Sequence, residues 1–109
     1  MEWDETLREL LKAGSGKGSK MLSPFEALSL IKVGEAINLF LVSVEVYEFK
    51  DKLEVPRVDL SLYNVCNEEA ISSLSVEDKK GACRDALHDL LKIIKGDEES
   101  YGFRVWLED

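Results

Sequence analysis

Few residues in this chain could do chemistry, and their spacing decides what they can do. Gly14-Ser15-Gly16-Lys17-Gly18-Ser19-Lys20 invites comparison with a phosphate-binding loop, in which backbone N–H groups cradle phosphates while a Lys and a following Ser or Thr complete the site. That loop needs a strand before it and a helix directly after it. Here Gly16-Lys17 is followed by Gly18 and the preceding segment has helical periodicity, so residues 14–20 read as a flexible Gly-rich linker. His88 is the only histidine. As a general base it would need a Ser or Cys nucleophile, and Cys83, five residues earlier on the same predicted helix, lies too far round to pair with it. Cys66 and Cys83 have neither metal-site nor redox spacing, so no metal and no cofactor are expected. Carboxylates are abundant, but no spacing singles out a pair for general acid–base work. Glu68-Glu69, Asp97-Glu98-Glu99 and Glu108-Asp109 read as solvated charge. The chemistry that remains is binding rather than catalysis, and no catalytic residue is assigned.

The 109 residues, 45% of them hydrophobic, suit a single domain over residues 1–109 with one ordinary core and no need of disulfides. Lys and Arg number 14 against 22 Asp and Glu, a formal net charge of −8. Such a balance repels a phosphate backbone, which argues against direct nucleic-acid binding, and favours a basic protein partner reached by electrostatic steering. No apolar run approaches the roughly 20 residues that span a bilayer; the longest, Asn38 to Val46, is broken by Ser43 and Glu45. No membrane association is expected. Met1-Glu2-Trp3-Asp4 lacks the basic and apolar regions of a secretion signal, so the expected location is cytoplasmic, with both thiols reduced.

The elements that must position a binding surface follow from periodicity. Leu7, Leu10 and Leu11 are spaced helically between Asp4, a predicted N-cap, and Gly14, a predicted stop. Ser23, Pro24 and Glu26 form a capping box with Pro at the first helical position. They open a second helix whose expected buried stripe is Phe25, Leu28, Leu30 and Ile31. From Leu39 to Lys50 the period becomes two, placing Phe40, Val42, Val44 and Val46 on one face and Leu41, Ser43, Glu45 and Tyr47 on the other. A polar turn at Asp51-Lys52 leads to a second strand with Val58, Leu60 and Leu62 facing inward and Asp59, Ser61 and Tyr63 outward. Pro56, which cannot donate to a ladder, marks its start as irregular or at an edge. Ser75 and Asp78 open a third helix with Cys83, Ala86, Leu87, Leu90, Leu91 and Ile94 along one stripe, ending at Gly96. A last strand alternates Tyr101, Phe103, Val105 and Leu107 against Gly102, Arg104, Trp106 and Glu108. The order α-α-β-β-α-β predicts an α+β two-layer sandwich, a three-stranded, mainly antiparallel sheet with helices on one face.

The second face of that sheet is the candidate interface. It would carry Glu45, Tyr47, Asp59, Tyr63, Arg104, Trp106 and Glu108, a mixture of aromatic anchors and charge that suits a protein partner. The plainer alternatives are a solvated sheet stiffened by its aromatics, or a face partly covered by the first helix.

The run Leu22-Ser23-Pro24-Phe25-Glu26-Ala27-Leu28, the strand end Val44-Glu45-Val46-Tyr47, the segment Val58-Asp59-Leu60-Ser61-Leu62-Tyr63 and the aromatic strand from Tyr101 to Leu107 together resemble a small immunity-protein family of bacterial polymorphic toxin systems. The resemblance covers most of the chain after the Gly-rich stretch. Where that family often ends its first strand Gly-Gly-Asp-Val-Tyr, this chain has Ser43-Val44-Glu45-Val46-Tyr47, and Leu62 stands where a Trp often precedes the second Tyr. The resemblance implies a cytoplasmic protein, monomer or weak dimer, that binds and blocks one cognate toxin domain, often a nuclease. A self-associating adaptor and a small carboxylate-based enzyme or ligand-binding domain are the alternatives.

Overall fold

The computed structural model describes residues 2–62 and 76–108, with the backbone alone at 76–80, 82 and 83. The chain forms helix α1 (Trp3–Gly14), helix α2 (Pro24–Ala36), strand β1 (Phe40–Lys50), strand β2 (Leu53–Pro56), helix α3 (Val76–Ile93), a 3₁₀ turn at Glu98–Ser100 and strand β3 (Tyr101–Glu108). The sheet is antiparallel in the order β2-β1-β3, the α+β arrangement that the residue pattern predicts. Tyr63, Cys66 and Ser75, each assigned a place from the sequence, lie outside the described residues.

The capping box forms as expected. The Ser23 hydroxyl accepts from the Glu26 N–H and the Glu26 carboxylate accepts from the Ser23 N–H, which satisfies two donors the helix itself cannot. The same Ser23 N–H holds the Glu26 carboxyl below its usual range. The hairpin turn places Asp51 and Lys52 at φ of 49° and 68°, the left-handed pair that a two-residue hairpin loop requires to match strand twist. Gly96 follows α3 with φ of 93°, the backbone shape glycine favours just past a helix end.

One core joins the helices to one face of the sheet. Leu41, Val44 and Val46 of β1 and Phe103, Val105 and Leu107 of β3 are buried with Leu10, Leu30, Ile31, Leu87, Leu90 and Ile94 from the helices. α1 shares this layer. A β-carbon at Gly34 of α2 would stand 2.9 Å from Leu107 and 3.5 Å from Leu10, so Gly34 lets α1, α2 and β3 meet. The buried stripe of α1 is Thr6, Glu9, Leu10 and Ala13, at spacings of three and four; Leu11 is exposed. On α2 the buried set is Pro24, Ala27, Leu30, Ile31, Gly34 and Glu35. Phe25, expected in the core, is 65% exposed, on the side of α2 opposite the face that Leu30 and Ile31 define.

Two further expectations are corrected. Strict alternation along β1 fails at Val42, where the pairing steps from Leu41↔Leu107 to Ser43↔Trp106. This β-bulge adds one residue to β1 and resets its parity. Leu41 is therefore fully buried, and Val42 lines the opposite side beside Ser43, Glu45 and Trp106. The second strand occupies Leu53–Pro56 rather than the stretch around Val58, Leu60 and Leu62. After Pro56 the chain turns, with the N–H groups of Leu60 and Ser61 both donating to the Arg57 carbonyl, and Leu62 then returns to bridge Val44. This excursion leaves Val58 69% exposed. It also removes a ladder partner from the Val46 N–H, which the Ser61 hydroxyl replaces as acceptor at 2.9 Å. Pro56 does lie in an edge strand, where its missing N–H breaks no interior ladder.

Candidate functional site

The helices occupy one face of the sheet, and among the described residues none lies on the other. Cross-strand register decides what this open face presents, since directly opposed residues share a face. Ser43 opposes Trp106, Glu45 opposes Arg104, and Tyr47 opposes Gly102. The neighbouring pairs Val44↔Val105 and Val46↔Phe103 point into the core.

Four of the sequence-assigned residues are brought into one cluster here. The Arg104 guanidinium lies over the Trp106 ring at 5.0 Å from its centroid, within cation–π range, and 3.9 Å from the Glu45 carboxylate. The Tyr47 hydroxyl donates to Glu45 Oε1 at 3.4 Å. All four side chains are partly exposed, so these contacts order the face without closing it. Glu108 lies at the exposed end of β3, two residues beyond Trp106, and extends the same face. Phe49, 41% exposed, extends it at the other end. Gly102 is buried beneath Phe49 and Met21, which a β-carbon there would meet at 2.6 and 2.7 Å. Phe49 and Met21 were not assigned to this face from the sequence, although the period-two continuation from Tyr47 to Phe49 is the signal that identifies Phe49.

Asp59 belongs elsewhere. It lies on the turn after β2, where its carboxylate accepts from Arg57 Nε and Nη2 at 3.0 and 2.9 Å. Arg57 Nη1 meanwhile reaches Glu48 at 2.6 Å. Glu48 alternates with Tyr47 and opposes Tyr101, which packs against the core, so this charged cluster sits on the helical side of the β2 edge. The Arg57 guanidinium holds the Asp59 carboxyl below its usual range, and the two carboxylates together raise the Arg57 pKa.

The Gly-rich segment, expected as a flexible linker, runs along the outer edge of β3. The Ser19 N–H donates to the Val105 carbonyl and the Val105 N–H donates to the Ser19 hydroxyl, while Leu22 and Phe103 exchange both backbone hydrogen bonds. Arg104 donates to the carbonyls of Ser19 and Lys17 at 3.1 and 3.3 Å, and Trp106 Nε1 donates to the Gly16 carbonyl at 3.3 Å. Glu9, 3% exposed, anchors the segment from α1 by accepting from the Lys20 N–H at 2.8 Å. Lys20 also pairs with Glu5 through its side chain. The segment thus covers the β3 edge, leaving β2 as the open edge of the described sheet.

His88 is exposed on α3, at the rim of a groove of about 230 Å³ between α2 and α3. Leu28, Ile31, Leu87 and Leu91 floor this groove, and Arg84 stands 3.7 Å from Glu35 across it. No group of three His, Cys, Asp or Glu side chains among the described residues could hold a metal ion. Among the described residues, no helix is long and apolar enough to cross a membrane.

Comparison of the chain with protein-family models, curated proteins and solved structures finds no match.

Proposed function

We propose that this chain is an immunity protein that binds a cognate bacterial toxin domain and neutralises it by occluding its active site. The observation that carries the reading is the open sheet face, where Tyr47 and Trp106 stand beside Glu45 and Arg104 with no helix over them among the described residues. Rings of this kind supply buried area at low conformational cost, and charge around them supplies pairing and orientation. The similarity of the Leu22–Leu28 run and the strand segments to the immunity-protein family supports the same role. So does the net charge of −8, because a carboxylate-rich surface can occupy the basic cleft of a nuclease and reach it by steering. Action in the cytoplasm, on a protein and not on nucleic acid directly, belongs to this proposal.

Co-expression with a toxin domain encoded beside this gene tests it. Growth should be rescued, and the two proteins should co-purify as a 1:1 complex. Failure to protect while the chain accumulates in folded form overturns the proposal.

A self-associating adaptor is the second reading. It is favoured by the β2 edge, where Leu53 is 65% exposed and no described strand pairs on the outer side. Light scattering separates the two: a concentration-independent homodimer supports the adaptor, and a monomer or weak dimer supports the immunity role.

A further inference from the structure

We propose that the recess around Val42 and Trp106 receives a single Arg or Lys side chain from the partner. This rests on the toxin-binding reading and specifies the kind of group that the open face recognises. The recess is a product of the bulge. Val42, displaced from the core side, and the small Ser43 opposite the large Trp106 leave two hollows that share Val42 and Trp106 in their linings. One is about 270 Å³ and bounded by Ser43 and Glu45. The other is about 380 Å³ and bounded by Gly14, Ser15, Gly16, Leu107 and Glu108.

The lining matches the two halves of a long cationic side chain. Val42 and Trp106 give the methylene stem apolar walls, as such stems need, and each hollow has a carboxylate in its lining for the head group, Glu45 in one and Glu108 in the other. Neither carboxylate is spent. Glu45 is engaged only by Tyr47 at 3.4 Å and Arg104 at 3.9 Å, both too long to saturate a group with about four acceptor sites. Glu108 is exposed and makes no ion pair with another described residue. Two carboxylates against the one guanidinium of Arg104 leave a net negative charge for an incoming cation. Arg104 itself displays the same recognition within the chain, its guanidinium placed between the Trp106 ring and Glu45.

Acetyl-arginine amide, titrated into the isotopically labelled full chain and followed by NMR, tests the proposal. Acetyl-citrulline amide, its neutral near-isostere, is the control. The Trp106 indole N–H and the Val42 and Ser43 amides should shift with the arginine compound. Affinity should weaken by about fivefold or more with citrulline, and likewise in a Glu45→Gln/Glu108→Gln variant of unchanged spectrum, as loss of a charge-assisted contact implies. Equal responses to both compounds, an undiminished response in the variant, or no response at Trp106 and Val42 each overturn it. Toxin protection is scored separately: protection without a recess response defeats the cation receptor alone, and a recess response without protection defeats the toxin reading alone.

Discussion

Gly18 lies so close to the Trp106 indole that a β-carbon on it would stand 2.5 Å from Cε2. With φ of 77°, position 18 excludes other residues both by backbone shape and by contact. The close approach lets the Gly-rich segment lie flat against β3 and direct the carbonyls of Gly16, Lys17 and Ser19 at Trp106 and Arg104.

The consequence is a contrast between two glycines. Gly18→Ala combines left-handed strain with overpacking and should destabilise the chain by about 1–3 kcal/mol. Gly16→Ala shares the positive φ, at 88°, but meets nothing within 4 Å, so its loss should stay near 1 kcal/mol. Urea titration measures both. In a Trp3→Phe background only Gly18→Ala should shift Trp106 emission to the red. Equal effects at the two positions would contradict the contact.

Glu9 should behave as an anchor rather than a surface charge. Its carboxylate is 3% exposed, accepts from the Lys20 N–H and lies 3.6 Å from the Lys12 ammonium. Glu9→Ala removes that acceptor and should destabilise by about 1–3 kcal/mol. Glu9→Gln keeps an amide oxygen in place and should lose less. Hydrogen exchange at the Lys20 amide should accelerate in Glu9→Ala; unchanged exchange there would show that the anchor does not hold the segment.

The turn after β2 carries a pH signature. The Asp59 carboxyl is held down by Arg57, so its folded-state pKa lies below its unfolded value. Its contribution to stability is therefore present above the unfolded pKa and is lost as pH falls through the folded one. Side-chain NMR should find Asp59 titrating below the ordinary 3.8, and Arg57→Gln should return the midpoint towards that value. A midpoint insensitive to Arg57→Gln would remove the ion pair as the cause.

Much of the fold is readable from residue pattern. Ser23, Pro24 and Glu26 locate α2 because capping chemistry is local, and the alternation from Tyr101 to Glu108 assigns both faces of β3 because that strand is regular. The departures arise where local pattern and tertiary structure diverge. Leu41 and Val42 are both apolar, so nothing in their types announces the bulge that exchanges their faces. Val58, Leu60 and Leu62 alternate like a strand, while the turn that displaces them depends on the Arg57 carbonyl and the Ser61 hydroxyl. The Gly-rich segment has the composition of a linker, and its hydrogen bonds run to residues more than eighty positions away. Of the candidate face, Glu45, Tyr47, Arg104, Trp106 and Glu108 are legible because the face each occupies follows from strand alternation. Asp59 is misplaced by the same turn, and Tyr63 lies outside the described residues.

Two phenylalanines calibrate this difference. Phe103 is fully buried and Phe25 largely exposed, although strand alternation assigns the first to the core and helical spacing the second. Phe103→Ala should destabilise by about 3–5 kcal/mol, and Phe25→Ala by no more than about 0.5 kcal/mol. Comparable losses in thermal or urea unfolding would contradict the packing.

The central proposal is that this chain binds a toxin domain through the open face. The most direct measurement is the dissociation rate of the proposed 1:1 complex with a toxin domain encoded beside this gene, comparing the Tyr47→Ala and Trp106→Ala variants with Phe25→Ala on the helical side as control. Unfolding midpoints should confirm that each variant remains folded. Tyr47→Ala and Trp106→Ala should each dissociate about tenfold faster or more, as loss of buried aromatic anchors requires, with the control unchanged. Unaltered dissociation in both variants would contradict the account and move the interface to another surface, with the acidic turn at Asp97-Glu98-Glu99 the first to examine.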